Sequence, residues 1–124
     1  MLFSSLGGNG AFQNSLYNKA LPNINGVVDA LQNANPEVTI IIEQLAPTRS
    51  KLMTNELTSY FNRQKQDLLT IASENSTTSS KIIALDMFTG FSDSLLEDNL
   101  HFNEAGVDFI ANRYYTVIKN ILEE

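Results

Sequence analysis

Three short apolar runs, separated by longer helical patterns, constrain the fold of this chain more than any other feature. They span residues 2–6 (LFSSL), 38–45 (VTIIIEQL) and 81–87 (KIIALDM). The second run is nearly uninterrupted, which is typical of a strand covered on both faces, as in a parallel sheet flanked by helices. We therefore predict three parallel strands.

Three amphipathic patterns follow these strands. The first begins after Pro22 and the second spans about residues 52–72. The third begins after Asn103, a good N-cap with Glu104 in the first turn. Alternating strands and helices predict a single α/β domain over residues 1–124, a flavodoxin-like three-layer α/β/α sandwich with right-handed crossovers. In such sheets the loops after the strands gather at one edge, where sites form.

Composition excludes several classes of function. The chain has 14 acids against 8 bases and a formal charge of -6. Without a basic run, we expect neither nucleic acid nor an anionic membrane as a partner. No apolar run reaches the roughly 18–20 residues of a membrane span, and the first residues lack the pattern of a signal peptide. We expect a soluble protein, with its compartment unassigned.

The chain contains no cysteine and a single histidine. Disulfides, thiolate metal sites and cysteine catalysis are therefore excluded, and a zinc centre built from protein ligands is disfavoured. We expect no metal and no cofactor.

The one histidine, His101, lies three residues after Asp98, just before the last predicted helix. A turn there brings a carboxylate onto one imidazole nitrogen and leaves the other to take a proton from a hydroxyl, as in acyl transfer. Because the pattern is short, the alternative is that Asp98 caps a turn and His101 is an ordinary loop residue.

A glycine-rich turn, Gly7-Gly8-Asn9-Gly10, follows the first strand. The Asn9 amide there is placed to donate to a developing oxyanion, and the glycines allow close approach of the backbone. The alternative is a plain Asn/Gly turn. Neither of the common glycine-rich phosphate-binding patterns is present.

Four stretches, in this order and spacing, resemble the later half of the GDSL/SGNH hydrolases, a family of esterases and lipases. They are LFSSLGGNGAF, NPEVTIIIEQLAP, KIIALDMFTGF and DNLHFNEAGVDFIANRYY. The resemblance implies an oxyanion donor at Asn9, with Gly7 and Gly8 beside it, and a catalytic acid and base at Asp98 and His101. It also implies metal-free hydrolysis of a short acyl ester on a carbohydrate or lipid. Gly10 departs from the family, which usually has Asp there.

In this family the nucleophile comes from a Gly-Asp-Ser block after its first strand, and neither that block nor the second block is matched here. Ser94 and Ser92 are the alternative nucleophiles. We disfavour both, because they share a loop with His101 and lack the fixed geometry that acyl transfer requires. The pattern Gly90-x-Ser92-x-Ser94 also lacks the second glycine of a nucleophile elbow. We interpret them as a polar connection.

Two consequences follow from the resemblance. The strand at 2–6 would present an open edge, which predicts self-association or docking of a complementary N-terminal half. The isolated chain should be inactive unless a partner contributes the serine.

Two other interpretations remain. In the first, the chain is a non-catalytic assembly or binding module built on the same fold. In the second, it is an unrelated flavodoxin-like domain, with Asp86 as a phospho-acceptor or ion site. In the esterase interpretation Asp86 is structural, bonding loop backbone. We expect Arg49, in the loop after the second strand, to be solvated rather than in contact with substrate.

Overall fold

The computed structural model describes the backbone of residues 2–4 and 17–124, and side chains from residue 21 onward. The strands are β1 (Leu2–Ser4), β2 (Ile40–Gln44) and β3 (Ile82–Asp86). The helices are α1 (Tyr17–Ala34), α2 (Asn55–Asn75) and α3 (Glu104–Leu122). Short 3₁₀ helices at Ser50–Leu52 and Asp93–Leu95 lie in the loops after β2 and β3.

The three strands form one parallel sheet in the order β1-β2-β3. Leu2 pairs with Ile40, and Ile40 pairs with Ile82. The predicted α/β fold with a parallel sheet is confirmed. β2 and β3 are shorter than their apolar runs, and residues 5 and 6 of the first run lie outside the described residues.

Helices cover both faces of the sheet, which explains the unbroken apolar run of β2. Ile40 and Ile42 pack with α1 and α2, in a core that contains Ile24, Val28, Leu68, Ile71 and Ile82. Ile41 points the other way and packs with Leu85 and Met87 beneath α3. Because neighbouring side chains of a strand alternate between faces, a central strand covered twice needs apolar residues at consecutive positions.

The first helix differs from its prediction. It begins at Tyr17 and runs through Pro22, where we expected it to begin. Proline has no N–H and removes one hydrogen bond inside a helix, so a start at proline is the usual expectation. Ile24 and Val28 are buried in the core, and this tertiary packing stabilises the helix around the missing bond.

The end of β2 is tied to α2 by two glutamine side chains. Gln64 of α2 is buried, accepts a hydrogen bond from the Leu45 N–H at 3.2 Å and donates to the Glu43 carbonyl at 3.3 Å. Gln44 donates in return to the Lys65 carbonyl at 2.7 Å. These bonds satisfy backbone groups where the sheet ladder ends, and they fix the direction in which the next loop leaves.

One flank of α3 exposes an apolar stripe. Val107, Tyr115 and Leu122 are 55%, 65% and 75% exposed, and at helical spacing they lie on one side of the helix together with exposed Ala111. On the opposite flank, Arg113 donates to main-chain carbonyls at the end of β3. The apolar stripe therefore faces the β1 side of the molecule.

The start of α3 packs directly against the backbone of the preceding 3₁₀ helix. The Asn103 side chain caps α3 by accepting from the Gly106 N–H at 2.9 Å, and the Asn103 N–H donates to the Leu95 carbonyl at 3.0 Å. A β-carbon at Gly106 would lie 2.1 Å from that carbonyl oxygen. Only glycine fits this contact.

Two glycine-to-alanine variants test this contact. Gly106→Ala should lower the free energy of unfolding by about 1–3 kcal/mol, because backbone must move to admit the methyl group. The matched control is Gly26→Ala in α1, where a β-carbon meets nothing within 4 Å. It should raise stability by about 0.5–1 kcal/mol, as alanine is the better helix former. Urea unfolding measures both, and stabilisation by Gly106→Ala would contradict the described contact.

Candidate active site

Asp98 and His101 are in direct contact in the loop between β3 and α3. The distance between Asp98 Oδ2 and His101 Nδ1 is 2.7 Å. The other carboxylate oxygen, Oδ1, accepts from the backbone N–H groups of Leu100 and His101, each at 2.7 Å. Both side chains are exposed, His101 at 77% and Asp98 at 56%. Within the described part of the chain, Nε2 of His101 has no hydrogen-bond partner.

The loop that carries the pair is closed on itself. The Glu97 N–H donates to the His101 carbonyl at 2.8 Å. Leu96 and Phe102 form an isolated antiparallel bridge. A buried side chain, Leu96 at 5% exposure, anchors this closed turn to the body of the domain. The two catalytic candidates therefore have fixed positions relative to each other although both are at the surface.

The pair shifts the pKa values of both groups in the direction that favours charge. Backbone N–H groups of His101 and Leu100, and then the imidazole, hold the pKa of the Asp98 carboxyl well below its usual range. The hydrogen bond and the charge of Asp98 raise the pKa of His101, with a smaller contribution from Glu97. An imidazole with a raised pKa is a stronger base, and its neutral form requires a higher pH.

Arg49, which we expected to be solvated rather than in contact with substrate, is partly exposed and also binds main-chain carbonyls of the neighbouring loop. Its guanidinium donates to the Asp98 carbonyl from Nη2 at 2.9 Å and from Nε at 3.2 Å, and lies 3.4 Å from the Leu96 carbonyl. Next to it, Ser50 donates to the Asp93 carboxylate from its backbone N–H at 2.8 Å and from its hydroxyl at 2.6 Å. The sequence analysis missed both contacts, because they join positions 43 or more residues apart and no local spacing reports them.

The two loop serines are engaged with each other and with the loop. The Ser92 and Ser94 hydroxyls are 2.6 Å apart, and the Ser94 carbonyl accepts from the Asn103 side chain at 2.8 Å. Their contacts are those of a polar connection between β3 and α3. The sequence-based choice against Ser94 as nucleophile stays a prediction.

The predicted oxyanion donor Asn9, with Gly7 and Gly8, lies outside the described residues. The structure therefore brings together the predicted acid and base only, and the convergence of Asn9 on them stays a prediction. Among the described residues, no group of three or more His, Cys, Asp or Glu side chains is arranged to hold a metal ion. No described helix is long and apolar enough to cross a membrane.

Asp86, the alternative site residue, binds its own loop. Its Oδ1 accepts from the N–H groups of Phe88 and Thr89 at 2.8 and 2.9 Å, and its Oδ2 accepts from the Thr89 hydroxyl at 2.5 Å. The Lys65 Nζ atom lies 3.9 Å from Asp86 Oδ2. These contacts agree with the structural role that we predicted for this carboxylate.

A cavity of about 550 Å³ opens between the loops after β2 and β3. Its wall is mostly apolar, with contributions from Met53, Phe88 and Phe91, and it includes the Asp93 carboxylate that Ser50 binds. The cavity lies on the same edge of the sheet as the Asp98–His101 pair, because both are formed by loops that follow strands. It offers space for an apolar group near that edge.

The single histidine makes the pair directly measurable by NMR. We expect the imidazole of His101 to titrate above the ordinary range of histidine, because Asp98 stabilises its protonated form. Asp98→Asn removes the charge and should lower this pKa. The stability that comes from protonation of His101 is present below the unfolded-state pKa of histidine and is lost as the pH rises through the raised pKa. The stability that comes from ionisation of Asp98 is lost as the pH falls through its lowered pKa. An unchanged pKa in Asp98→Asn would contradict the described contact.

No protein-family model matches the chain, and no curated protein matches it. Solved structures do. A carbohydrate esterase family 3 protein from Talaromyces cellulolyticus has a TM-score of 0.83 at 20% identity, over 99% of this chain and 59% of that one. An acetyl esterase, solved as a serine-to-alanine mutant with an acetate ion, has a TM-score of 0.77 at 20% identity, over 96% and 59%.

A Streptococcus pneumonia protein, provisionally described as a platelet activating factor, has a TM-score of 0.76 at 16% identity, over 93% and 57%. This chain thus spans less than two thirds of the length of each of these structures. At such identities the likeness shows the fold alone. The chain therefore has the α/β fold of these solved structures, with an Asp–His pair at the edge of the sheet where its strands end.

Proposed function

We propose that this chain supplies the acid–base half of a serine ester hydrolase site of the GDSL/SGNH type. One observation carries the proposal: His101 contacts Asp98 through Nδ1 at 2.7 Å and leaves Nε2 open, on a fold of the type found in esterases. This is the arrangement that a general base for acyl transfer requires.

The roles follow from the geometry of the pair. Asp98 holds the imidazole with its proton on Nδ1, so that Nε2 accepts the proton of an attacking hydroxyl. The hydroxyl oxygen bonds to the ester carbonyl carbon, and the imidazolium, stabilised by Asp98, then gives the proton to the leaving alcohol. Water repeats the sequence and releases the acid. In this proposal the Asn9 amide donates to the negative oxygen of the intermediate.

The attacking serine is proposed to come from a polypeptide segment outside these 124 residues. In support, Ser92 and Ser94 are hydrogen-bonded to each other in the loop that carries the base. The similar acetyl esterase was solved as a serine-to-alanine mutant, and this chain spans 59% of it. The isolated chain is then inactive or nearly so.

The proposed substrate is a short acyl ester, with acetyl first. Support comes from two of the similar structures, described as an acetyl esterase with an acetate ion and as a carbohydrate esterase. The competing function is a non-catalytic assembly module with the same fold, which the exposure of the α3 stripe favours.

The same outside segment is proposed to cover the apolar stripe of α3 and the edge of β1 that pairs with no described strand. Both surfaces lie on one side of the molecule, and β1 is the terminal strand of the sheet. A parallel strand followed by an amphipathic helix would pair with the edge and bury the stripe together. Its strand end would then lie at the edge of the sheet that holds His101.

A complementation assay tests the esterase proposal. The isolated chain should neither hydrolyse p-nitrophenyl acetate above background nor label a serine with a fluorophosphonate. When mixed with, or fused to, the part of the similar acetyl esterase that lies outside the matched region, it should do both. His101→Ala should then reduce hydrolysis by about 10²-fold or more.

Three outcomes would count against the esterase proposal. Labelling of Ser94 in the isolated chain, with activity abolished by Ser94→Ala, would place the nucleophile here after all. Hydrolysis that is insensitive to His101→Ala would remove the base from the mechanism. An assembled complex without labelling or hydrolysis would favour the assembly module.

Light scattering across a dilution series tests whether the apolar stripe of α3 is an interaction surface. Without its covering segment, the isolated chain should self-associate at micromolar concentration, because the stripe is open. The double variant Tyr115→Ser/Leu122→Ser should shift the population towards monomer. Leu69→Ser is the matched control, since Leu69 is 48% exposed on α2, across the sheet from α3, and should change nothing. A wild-type chain that stays monomeric would overturn the prediction.

A further inference from the structure

The loop after β2 reaches the Asp98–His101 loop with several donors that converge on main-chain carbonyls. Besides the guanidinium contacts to the carbonyls of Leu96 and Asp98, the backbone N–H of Arg49 donates to the Asn99 carbonyl at 3.2 Å. The Thr48 hydroxyl, on a side chain that is 4% exposed, donates to the same carbonyl. Two consecutive residues of one loop thus bind three main-chain carbonyls of the other, those of residues 96, 98 and 99.

These contacts between the two loops place the Asp98–His101 pair relative to the sheet, which the hydrogen bonds within its own loop do not. The bonds among Glu97, Asp98 and His101 fix the pair internally, but they leave its placement on the sheet undefined. Arg49 lies five residues after the end of β2, in the loop that follows it, and β2 is the central strand of the sheet. Its guanidinium therefore connects the exposed pair to the loop that leaves the central strand of the sheet.

The choice of acceptor also matters. Arg49 binds the Asp98 carbonyl and leaves the Asp98 carboxylate to the imidazole. The charge of Arg49 acts instead on Asp93, whose pKa is lowered first by the Ser50 hydroxyl and N–H and also by Arg49 and Lys51. A guanidinium on the carboxylate would compete with the imidazole, whereas a guanidinium on the carbonyl does not.

We propose that Arg49 is a positioning residue, which holds the Asp98–His101 pair at the edge of the sheet by binding the main-chain carbonyls of residues 96 and 98. Its planar fork spans two acceptors at once, which a lysine ammonium or a single amide does less well. The effect on catalysis rests on the proposed function, while the effect on the pair itself does not.

The proposal is tested by the direction in which substitution of Arg49 shifts the pKa of His101, measured by NMR in the isolated chain. Loss of a cation alone raises the pKa of a nearby imidazole, because a repulsive charge is gone. Loss of a positioning contact lowers it, because the bond to Asp98 loosens. Arg49→Ala is therefore expected to shift the pKa of His101 downward, and Arg49→Lys, which keeps the charge, should shift it downward by a smaller amount.

Lys51→Ala is the matched control. Lys51 carries the same charge in the same loop, is exposed and acts on Asp93, but it is not among the donors to carbonyls 96–99. Its removal should leave the pKa of His101 unchanged or slightly raised. Among the described residues, Asp98 and Glu97 are the charged groups that raise the pKa of His101, and neither is changed in these variants.

The outcomes separate the two proposals. If the pKa of His101 rises or stays unchanged in folded Arg49→Ala, the positioning role is overturned. If Arg49→Ala does not fold, the shift of the His101 pKa in Arg49→Lys is used as the same criterion. In the complemented enzyme, Arg49→Ala should lower kcat by about 10- to 100-fold with KM little changed. If complementation gives no hydrolysis but the pKa still falls, only the esterase proposal fails.

Discussion

The structure of the candidate site depends on hydrogen bonds between the loop after β2 and the loop after β3. An irregular loop at the surface has main-chain carbonyls that ordinarily bind water and fluctuate. Here the carbonyls of Leu96, Asp98 and Asn99 accept from Arg49 and Thr48. An ion pair between two exposed side chains contributes little to stability by itself. The contacts between the two loops therefore hold the Asp98–His101 pair in its geometry.

This arrangement follows from the order of the strands. Because β2 is central and parallel to β3, its loop emerges beside the loop that carries the base. Gln64 and Gln44 direct the chain out of β2, while the packing of Gly106 against the Leu95 carbonyl directs the return into α3. The contact between the two loops is thus set by buried neighbours on both sides.

Sequence patterns predict the parts of this arrangement that are local. The run around Ile41 predicts a strand covered twice, Asn103 predicts the start of α3, and the spacing from Asp98 to His101 allows a turn-closed pair. The patterns fail where tertiary contacts decide. The sequence around Pro22 predicts a helix start there, but the burial of Ile24 and Val28 stabilises a helix that continues through the proline. Arg49 has no local signal at all, because its partners are more than 40 residues away.

The exposure of the Asp98–His101 pair supports the proposal that a further segment completes the site. The carboxylate and the imidazole, 56% and 77% exposed, are in direct contact, but the surrounding water screens the attraction between their charges. Catalysis of acyl transfer needs the developing imidazolium to be stabilised in a site from which water is largely excluded. A segment that covers the β1 edge and the α3 stripe would bring protein over the same side of the loop. It would strengthen the bond to Asp98 at the moment when the imidazole becomes charged, without moving either residue.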